Sequence, residues 1–160
     1  MKTNLKNYLF VSVLSLIAFA VDRVSKNEIL SIFEENNLEK IYVNPFLDFF
    51  LVFNTGISYG LLGGESSFQK WLLITVSVFI VAFLLLWIKD STSRLVNISI
   101  SFITGGALGN IIDRILYGGV VDFISLHAYG YYWYIFNIAD VFIVFGVILF
   151  LIKILMERFT

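Results

Sequence analysis

From Trp71 to Ile88 no residue carries a charge, and the same holds from Leu95 to Ile112. A helix that crosses a hydrocarbon core of about 30 Å needs roughly 20 largely apolar residues, so both stretches read as transmembrane helices. Trp71 and Trp87 mark the ends of the first, where amphipathic rings prefer the headgroup level. Gly105, Gly106 and Gly109 punctuate the second. A further stretch, Tyr131 to Ile152, opens on the aromatic belt Tyr131, Tyr132, Trp133 and Tyr134 and holds one carboxylate, Asp140. The N-terminal stretch, Tyr8 to Val21, is shorter and has two readings. Lys2 and Lys6 precede it and Ala18-Phe19-Ala20 resembles a cleavage site, which suggests a removable signal peptide. The preferred reading is an uncleaved helix from Leu5 to about Ser25, with Asp22, Arg23 and Lys26 at the interface or paired with one another.

The expected fold is therefore all-α and integral to a membrane: one domain over residues 1–160, with helices over about 5–25, 71–88, 95–112 and 133–156. Composition agrees, since 59% of the chain is hydrophobic and 14% charged, against about 45–50% and 25% in soluble globular chains. That excludes a disordered, nucleic-acid-binding or ordinary water-soluble protein. The net charge of -1 points to no polyanionic partner. Without cysteine, and with His127 the single histidine, the chain has no disulfide, no thiolate nucleophile and little to hold a metal. No cofactor is implied.

Four spans place both termini on one side. That side carries Lys2, Lys6, Lys89, Arg94, Lys153 and Arg158 against Asp90 and Glu157, while the other carries five bases against ten acids. Positive charge near helix ends marks the cytoplasmic face, so both termini are expected in the cytoplasm, with the loops outside. The first outer loop, about 27–70, is structured by its pattern. Glu28 to Leu38 has the apolar spacing of a short surface helix, and Ile41 to Leu62, broken by Pro45, Gly56 and Gly60, suggests short strands. Phe46, Phe49, Phe50, Phe53 and Tyr59 are too apolar for a free loop and imply that it lies against the bilayer.

A carboxylate in a membrane helix is costly and faces a partner, a cavity or a functional site. Asp140 is such a residue, with Asn137 three positions before it on the same helical face; alone, the pair also suits a polar tether between helices. Asp122 follows Gly118-Gly119 in an extended apolar run and would pass for a loop aspartate if it stood alone. Only a short connection separates the ends of helices three and four, so the two carboxylates are expected to face each other. Close carboxylates share a proton, one acting as base and the other as acid, the arrangement of an aspartic protease. One takes a proton from the attacking water while the other polarises the scissile carbonyl and then protonates the leaving amine. Gly105, Gly106 and Gly109 admit a helix or substrate close to the third helix. Asn110 is placed to orient a carboxylate, and Asp113 and Arg114 to tie the outer loop.

These residues fall in segments that resemble the lipoprotein signal peptidase (type II signal peptidase) family: Gly105-Gly106-Ala107-Leu108-Gly109-Asn110-Ile111-Ile112-Asp113-Arg114, Val120-Val121-Asp122-Phe123-Ile124 and Phe136-Asn137-Ile138-Ala139-Asp140. Asp22-Arg23-Val24-Ser25-Lys26 and Asn54-Thr55-Gly56 are similar to two further family segments, and the likeness runs in order over nearly the whole chain. The resemblance implies a bacterial inner-membrane aspartic endopeptidase. It would remove the signal peptide of a prolipoprotein on the amino side of a diacylglyceryl-modified cysteine, with its active site near the outer face. It places the catalytic pair on Asp122 and Asp140, with Asn54, Gly56, Asn110, Asp113, Arg114, Asn137, Asp22 and Lys26 lining or bracing the site. It implies a periplasmic β-rich cradle and a short surface helix over the membrane. The implied partners are a diacylglyceryl-modified prolipoprotein, membrane lipids and globomycin-type peptide inhibitors. Two departures stand out: Ser125, where many members carry an acidic residue, and Ile57-Ser58-Tyr59-Gly60 in place of an Ala-rich continuation.

A small transporter or proton-relay subunit using Asp140 is the rival reading. It predicts polar residues through the bilayer depth, whereas here they cluster at the outer end. A purely structural subunit would leave the convergence of Asp122, Asp140, Asn110 and Asn137 unexplained. Other protease classes lack their motifs: Ser25 and Lys26 are adjacent and do not face each other on a helix, and His127 suits an interface role.

Overall fold

The computed structural model describes residues 2–56, 67–91 and 93–158. The divergent Ile57-Ser58-Tyr59-Gly60 segment, the end of the strand-like pattern at Leu62 and the acidic Glu65 lie outside the described residues.

The first helix, α1 (Lys2–Asn36), runs for 35 residues without a break. No Gly or Pro occurs before Pro45, so nothing stops the helix at the charged residues that end its apolar stretch. At 1.5 Å per residue it is about 52 Å long, well beyond a hydrocarbon core, and its last turns project past the bundle. The expected surface helix over Glu28–Leu38 is thus the continuation of α1 rather than a separate element. It ends in a Schellman motif: Asn37 takes the left-handed conformation (φ +50°) and Leu38 N–H bonds to Phe33 O at 3.1 Å.

Strands β1 (Ile41–Asn44) and β2 (Leu47–Asn54) turn at Pro45-Phe46, where Asn44 Oδ1 accepts the Phe46 N–H. Helix α2 (Ser67–Trp87) leads through a 3₁₀ turn to α3 (Arg94–Tyr117), capped by the Ser93 side chain and closed by Gly118 in the left-handed region (φ +81°). Strands β3 (Val120–Ala128) and β4 (Tyr131–Phe136) follow, then α4 (Ile138–Arg158). The aromatic segment read as the opening of the fourth helix is therefore a strand. Tyr129 and Gly130, both at positive φ, make the two-residue turn that suits a hairpin's twist, and α4 begins only after Asn137. The four strands form one antiparallel sheet in the order β1-β2-β3-β4.

Among the described residues, α1, α2, α3 and α4 are each long and apolar enough to cross a membrane. Helix α3 is the axis of the bundle and its glycines set the spacing. A Cβ on Gly105 would lie 2.6 Å from Ser15 O of α1, and one on Gly106 would meet Ala139 O of α4. Both obstacles are backbone and cannot rotate away. Gly106→Leu is therefore expected to cost about 1–3 kcal/mol by overpacking and to lower the thermal unfolding midpoint in detergent; an unchanged midpoint would contradict this packing. Gly146 of α4 is as tightly placed, its Cβ position 2.7 Å from Ser99 O.

The projecting end of α1 supports the sheet. Ile29 and Phe33 pack with Phe123 of β3, flanked by Ile41, Phe49, Leu51 and Ile124, and Phe49 meets Phe123 edge-on at 5.9 Å. This wedge holds β3 over the ends of α3 and α4. Polar residues also reach deeper into the bundle than the sequence suggests: Asn97, Ser99, Ser101 and Thr104 are buried along α3. Their hydroxyls mostly bond within the protein, Ser99 to Leu95 O, Ser101 to Asn97 O, and Ser15 of α1 to Ser101 O.

Candidate active site

Asp122 lies on β3 opposite Val52, and Asn54 opposite Val120, which puts Asn54 and Asp122 on one face of the sheet as diagonal neighbours. Asp140 lies in the first turn of α4, one turn beyond Asn137. Asn137 caps α4 rather than lying within it. Its Oδ1 accepts the Asp140 N–H at 2.9 Å, and Asp140 Oδ2 accepts the Asn137 N–H at 3.3 Å, a reciprocal capping box. The carboxylate thus sits at the positive end of a helix.

Three asparagine amides connect the two carboxylates, and each has its oxygen occupied by a donor, so that its NH₂ must point at an aspartate. Asn54 Oδ1 accepts the Gly56 N–H at 2.9 Å, and its amide donates to Asp122 Oδ2 at 2.8 Å. Gly56 makes this turn at φ +98°, a conformation that favours glycine. Asn137, held by the α4 N–H, donates to Asp122 Oδ1 at 2.6 Å and to Asn110 Oδ1 at 3.2 Å. Asn110 donates to Asp140 Oδ1 at 2.9 Å. Asp122 is buried while Asp140 is partly open. Burial raises the Asp122 carboxyl to about 6, an effect that the neighbouring Asp140 reinforces and the amides of Asn54 and Asn137 and the Lys26 ammonium oppose.

Beneath this layer lies a buried ion cluster. Lys26 pairs with Asp22 at 2.8 Å and Asp113 at 2.7 Å, and Arg23 pairs with the other oxygen of Asp113. Asp113 Oδ2 also accepts the Val121 N–H at 3.1 Å, one residue before Asp122, and Asp22 Oδ1 accepts the Ala139 N–H at 2.9 Å, one residue before Asp140. Each dyad strand or helix is therefore anchored next to its aspartate by a carboxylate of the cluster. Arg114 bonds Asn110 O at 3.2 Å and does not pair with Asp113, so Asp113 ties down the start of β3 while Arg114 stays beside the dyad. Ser25 bonds to Asp22 O at 2.8 Å, which removes it from Lys26.

One cluster had no signal in the sequence. Asp48 of β2 is buried, with Lys40 Nζ at 2.5 Å and His127 Nε2 at 2.9 Å from its Oδ2, close approaches that bring the hairpin against β3. Lys40 and Asp48 lie on either side of the β1–β2 turn while His127 is far along the chain, with no spacing pattern between them, so only the sheet register reveals them. His127 serves there, against the Tyr132 ring. Among the described residues no group of three or more His, Asp or Glu side chains converges as metal ligands would. What the site can do is acid-base chemistry: two carboxylates of different exposure, held by aimed amide donors, beside a guanidinium.

A family model described as Signal peptidase (SPase) II matches residues 14–156. The lipoprotein signal peptidase of Pelagibacter ubique is 40% identical over 147 residues, covering 91% of this chain and 87% of that protein. The one from Rhodopseudomonas palustris is 43% identical over 136 residues, 82% and 83% of the two chains. A bacterial membrane enzyme solved by the in meso method at 1.9 Å resolution superposes with a TM-score of 0.77 at 30% identity, covering 91% of this chain and 92% of its own.

Proposed function

The chain belongs to the signal peptidase II family, and on that premise we propose that it is an aspartic endopeptidase that removes the signal peptide of a prolipoprotein on the amino side of a diacylglyceryl-modified cysteine. The observation that carries the reading is the convergence of Asp122 and Asp140, each held by amides that can only donate to it. Asp122, the more buried, holds the shared proton and polarises the scissile carbonyl. Asp140, open to the surface, takes the proton of the attacking water, and Asp122 then delivers its proton to the departing amine. Atoms balance, since water adds across the amide bond. Asn54, Asn110 and Asn137 keep the carboxylates aimed, and Arg114 supports the charge that develops beside them.

The protein sits in the bacterial inner membrane with both termini in the cytoplasm, because the basic residues gather at the end of the bundle away from the sheet. The active site then opens at the outer face, under the sheet, where a lipidated cysteine anchored in the outer leaflet can reach it. Peptide antibiotics of the globomycin type are expected to compete there. A transporter would need a continuous polar path; the buried polar residues along the middle of α3, Asn97, Ser99, Ser101 and Thr104, carry no charge, and Ser99 and Ser101 bond to carbonyls of their own helix.

The test is cleavage of a synthetic diacylglyceryl-cysteine lipobox peptide by the purified protein in detergent, read by mass spectrometry. Cleavage directly before the lipidated cysteine is expected, and a well-folded protein that leaves the peptide intact sinks the reading. A second measurement follows from the shared proton. A carboxyl raised to about 6 must keep its proton to act as acid, so kcat/KM should decline as pH rises through that region. In kcat the alkaline limb should lie higher, because bound substrate excludes water from the site. A profile flat from pH 4 to 9 would exclude a shared proton.

A further inference from the structure

The Lys26 ammonium is fully buried and has three contacts: Asp22 Oδ2 at 2.8 Å, Asp113 Oδ2 at 2.7 Å and Asn110 Oδ1 at 3.1 Å. An ammonium has three donors and no acceptor, and all three contacts are oxygens: two ion pairs and the hydrogen bond to Asn110. Two contacts are charge neutralisation and belong to the ion cluster. The third reaches across to the dyad layer, and it differs from the supports of the other two asparagines. Asn54 and Asn137 are held by main-chain N–H groups of their own turns, whereas the oxygen of Asn110 is held by side chains, Lys26 from α1 and Asn137 from α4.

From this geometry we propose that Lys26 is a positioning residue of the cleavage reaction, fixing which way the Asn110 amide faces and so which atom meets Asp140. A donor-only group admits only the oxygen of Asn110 on its side, leaving the NH₂ against Asp140 Oδ1 at 2.9 Å. Without the ammonium only the Asn137 amide, at 3.2 Å, still holds that oxygen, so the amide turns over more easily, setting an oxygen against the carboxylate and removing its donor when the base must be correctly placed. The same charge acts on Asp122 through space, holding its carboxyl below the level that burial alone would set. The proposal rests on the peptidase reading and deepens it: the ion pair that joins α1 to α3 also reaches the reacting groups.

The experiment must separate this from structural support. Lys26→Met alone leaves Asp113 with Arg23 and takes from the buried Asp22 the cation it pairs with, which invites misfolding. The charge-balanced variant Lys26→Met/Asp22→Asn keeps the Arg23–Asp113 pair and an acceptor for the Ala139 N–H. Its kinetics on the lipopeptide are compared with those of Asp22→Asn, which retains Lys26. The expected result is a further drop in kcat of at least tenfold with KM within about threefold. The alkaline limb of the pH profile should also move to higher pH, as Asp122 loses the ammonium's influence. Lys26→Arg, which keeps charge and donors, is expected to recover much of the turnover. Equal kcat and equal pH profiles in the double variant and Asp22→Asn overturn the proposal. So does a loss of activity that tracks a lowered melting temperature while the profile stays in place. Wild type run in the same assay keeps the two levels apart: if it leaves the peptide uncut, the peptidase reading fails rather than the role of Lys26.

Discussion

Asp122→Asn and Asp140→Asn are each expected to reduce lipopeptide turnover by about a thousandfold or more while the protein still folds and binds substrate. A positioned acid or base contributes roughly 10²–10⁴-fold, and an amide in its place can neither take the proton of the attacking water nor return one to the leaving amine. The substitution is nearly isosteric, so its structural cost is local. At Asp122 both oxygens accept from amides, at 2.8 Å from Asn54 and 2.6 Å from Asn137. An asparagine there sets an NH₂ against one of those donors and forfeits one hydrogen bond. A lost buried bond costs about 1–3 kcal/mol, partly offset because the amide no longer has to be ionised in a buried place. The double variant should be no slower than the slower single one, since groups that act as one unit are not additive. Initial rates by mass spectrometry, with thermal melting and binding of an uncleavable lipopeptide alongside, decide the matter. Full turnover in either single variant would sink the dyad.

The sequence was legible where one physical constraint dominates. Freedom from charge over Trp71–Ile88 and Leu95–Ile112 made two helices evident, and structure extends them by a few residues at one or both ends. Competing constraints hid the rest. Asp22, Arg23 and Lys26 interrupt an apolar run and so read as a boundary, but charge does not stop a helix when each ion has a buried partner, and α1 continues to Asn36. Tyr131–Phe136 has the amphipathic aromatics of a membrane interface, which a strand end and a helix start share; the turn at Tyr129-Gly130 decided for the strand. Asp122 and Asp140 stood out because carboxylates in apolar segments demand a reason. The ion cluster that holds Asn110, and with it the direction of that amide, depends on contacts between distant residues, such as Lys26 with Asn110, 84 apart, and no linear spacing encodes them.

The second large effect is one of stability. Asp113→Ala is expected to destabilise the folded protein by about 3–5 kcal/mol, the cost of breaking a buried ion pair from one side. Asp113 has no solvent exposure and serves three donors, Arg23, Lys26 and the Val121 N–H. Its loss leaves Arg23 without this partner and Lys26 with Asp22 as its one remaining carboxylate, and frees the start of β3. Because the cluster is shielded from water, added salt should change the loss little, unlike that of a surface pair. Asp113→Asn should fall between, keeping an acceptor but not the charge. The measurement is the unfolding midpoint in detergent across this series, completed by Lys26→Met and the double variant Asp113→Ala/Lys26→Met. Removing one anion with one cation restores balance around Asp22 and Arg23, so the double loss should be well below the sum of the single losses, with a coupling of about 1–3 kcal/mol. Strict additivity would mean that the two residues do not act on each other, and the account of α1 as electrostatically joined to α3 would fail. Turnover should fall in Asp113→Ala as well: Val121 precedes Asp122, so the carboxylate that holds its N–H sets where β3 presents the aspartate to the substrate.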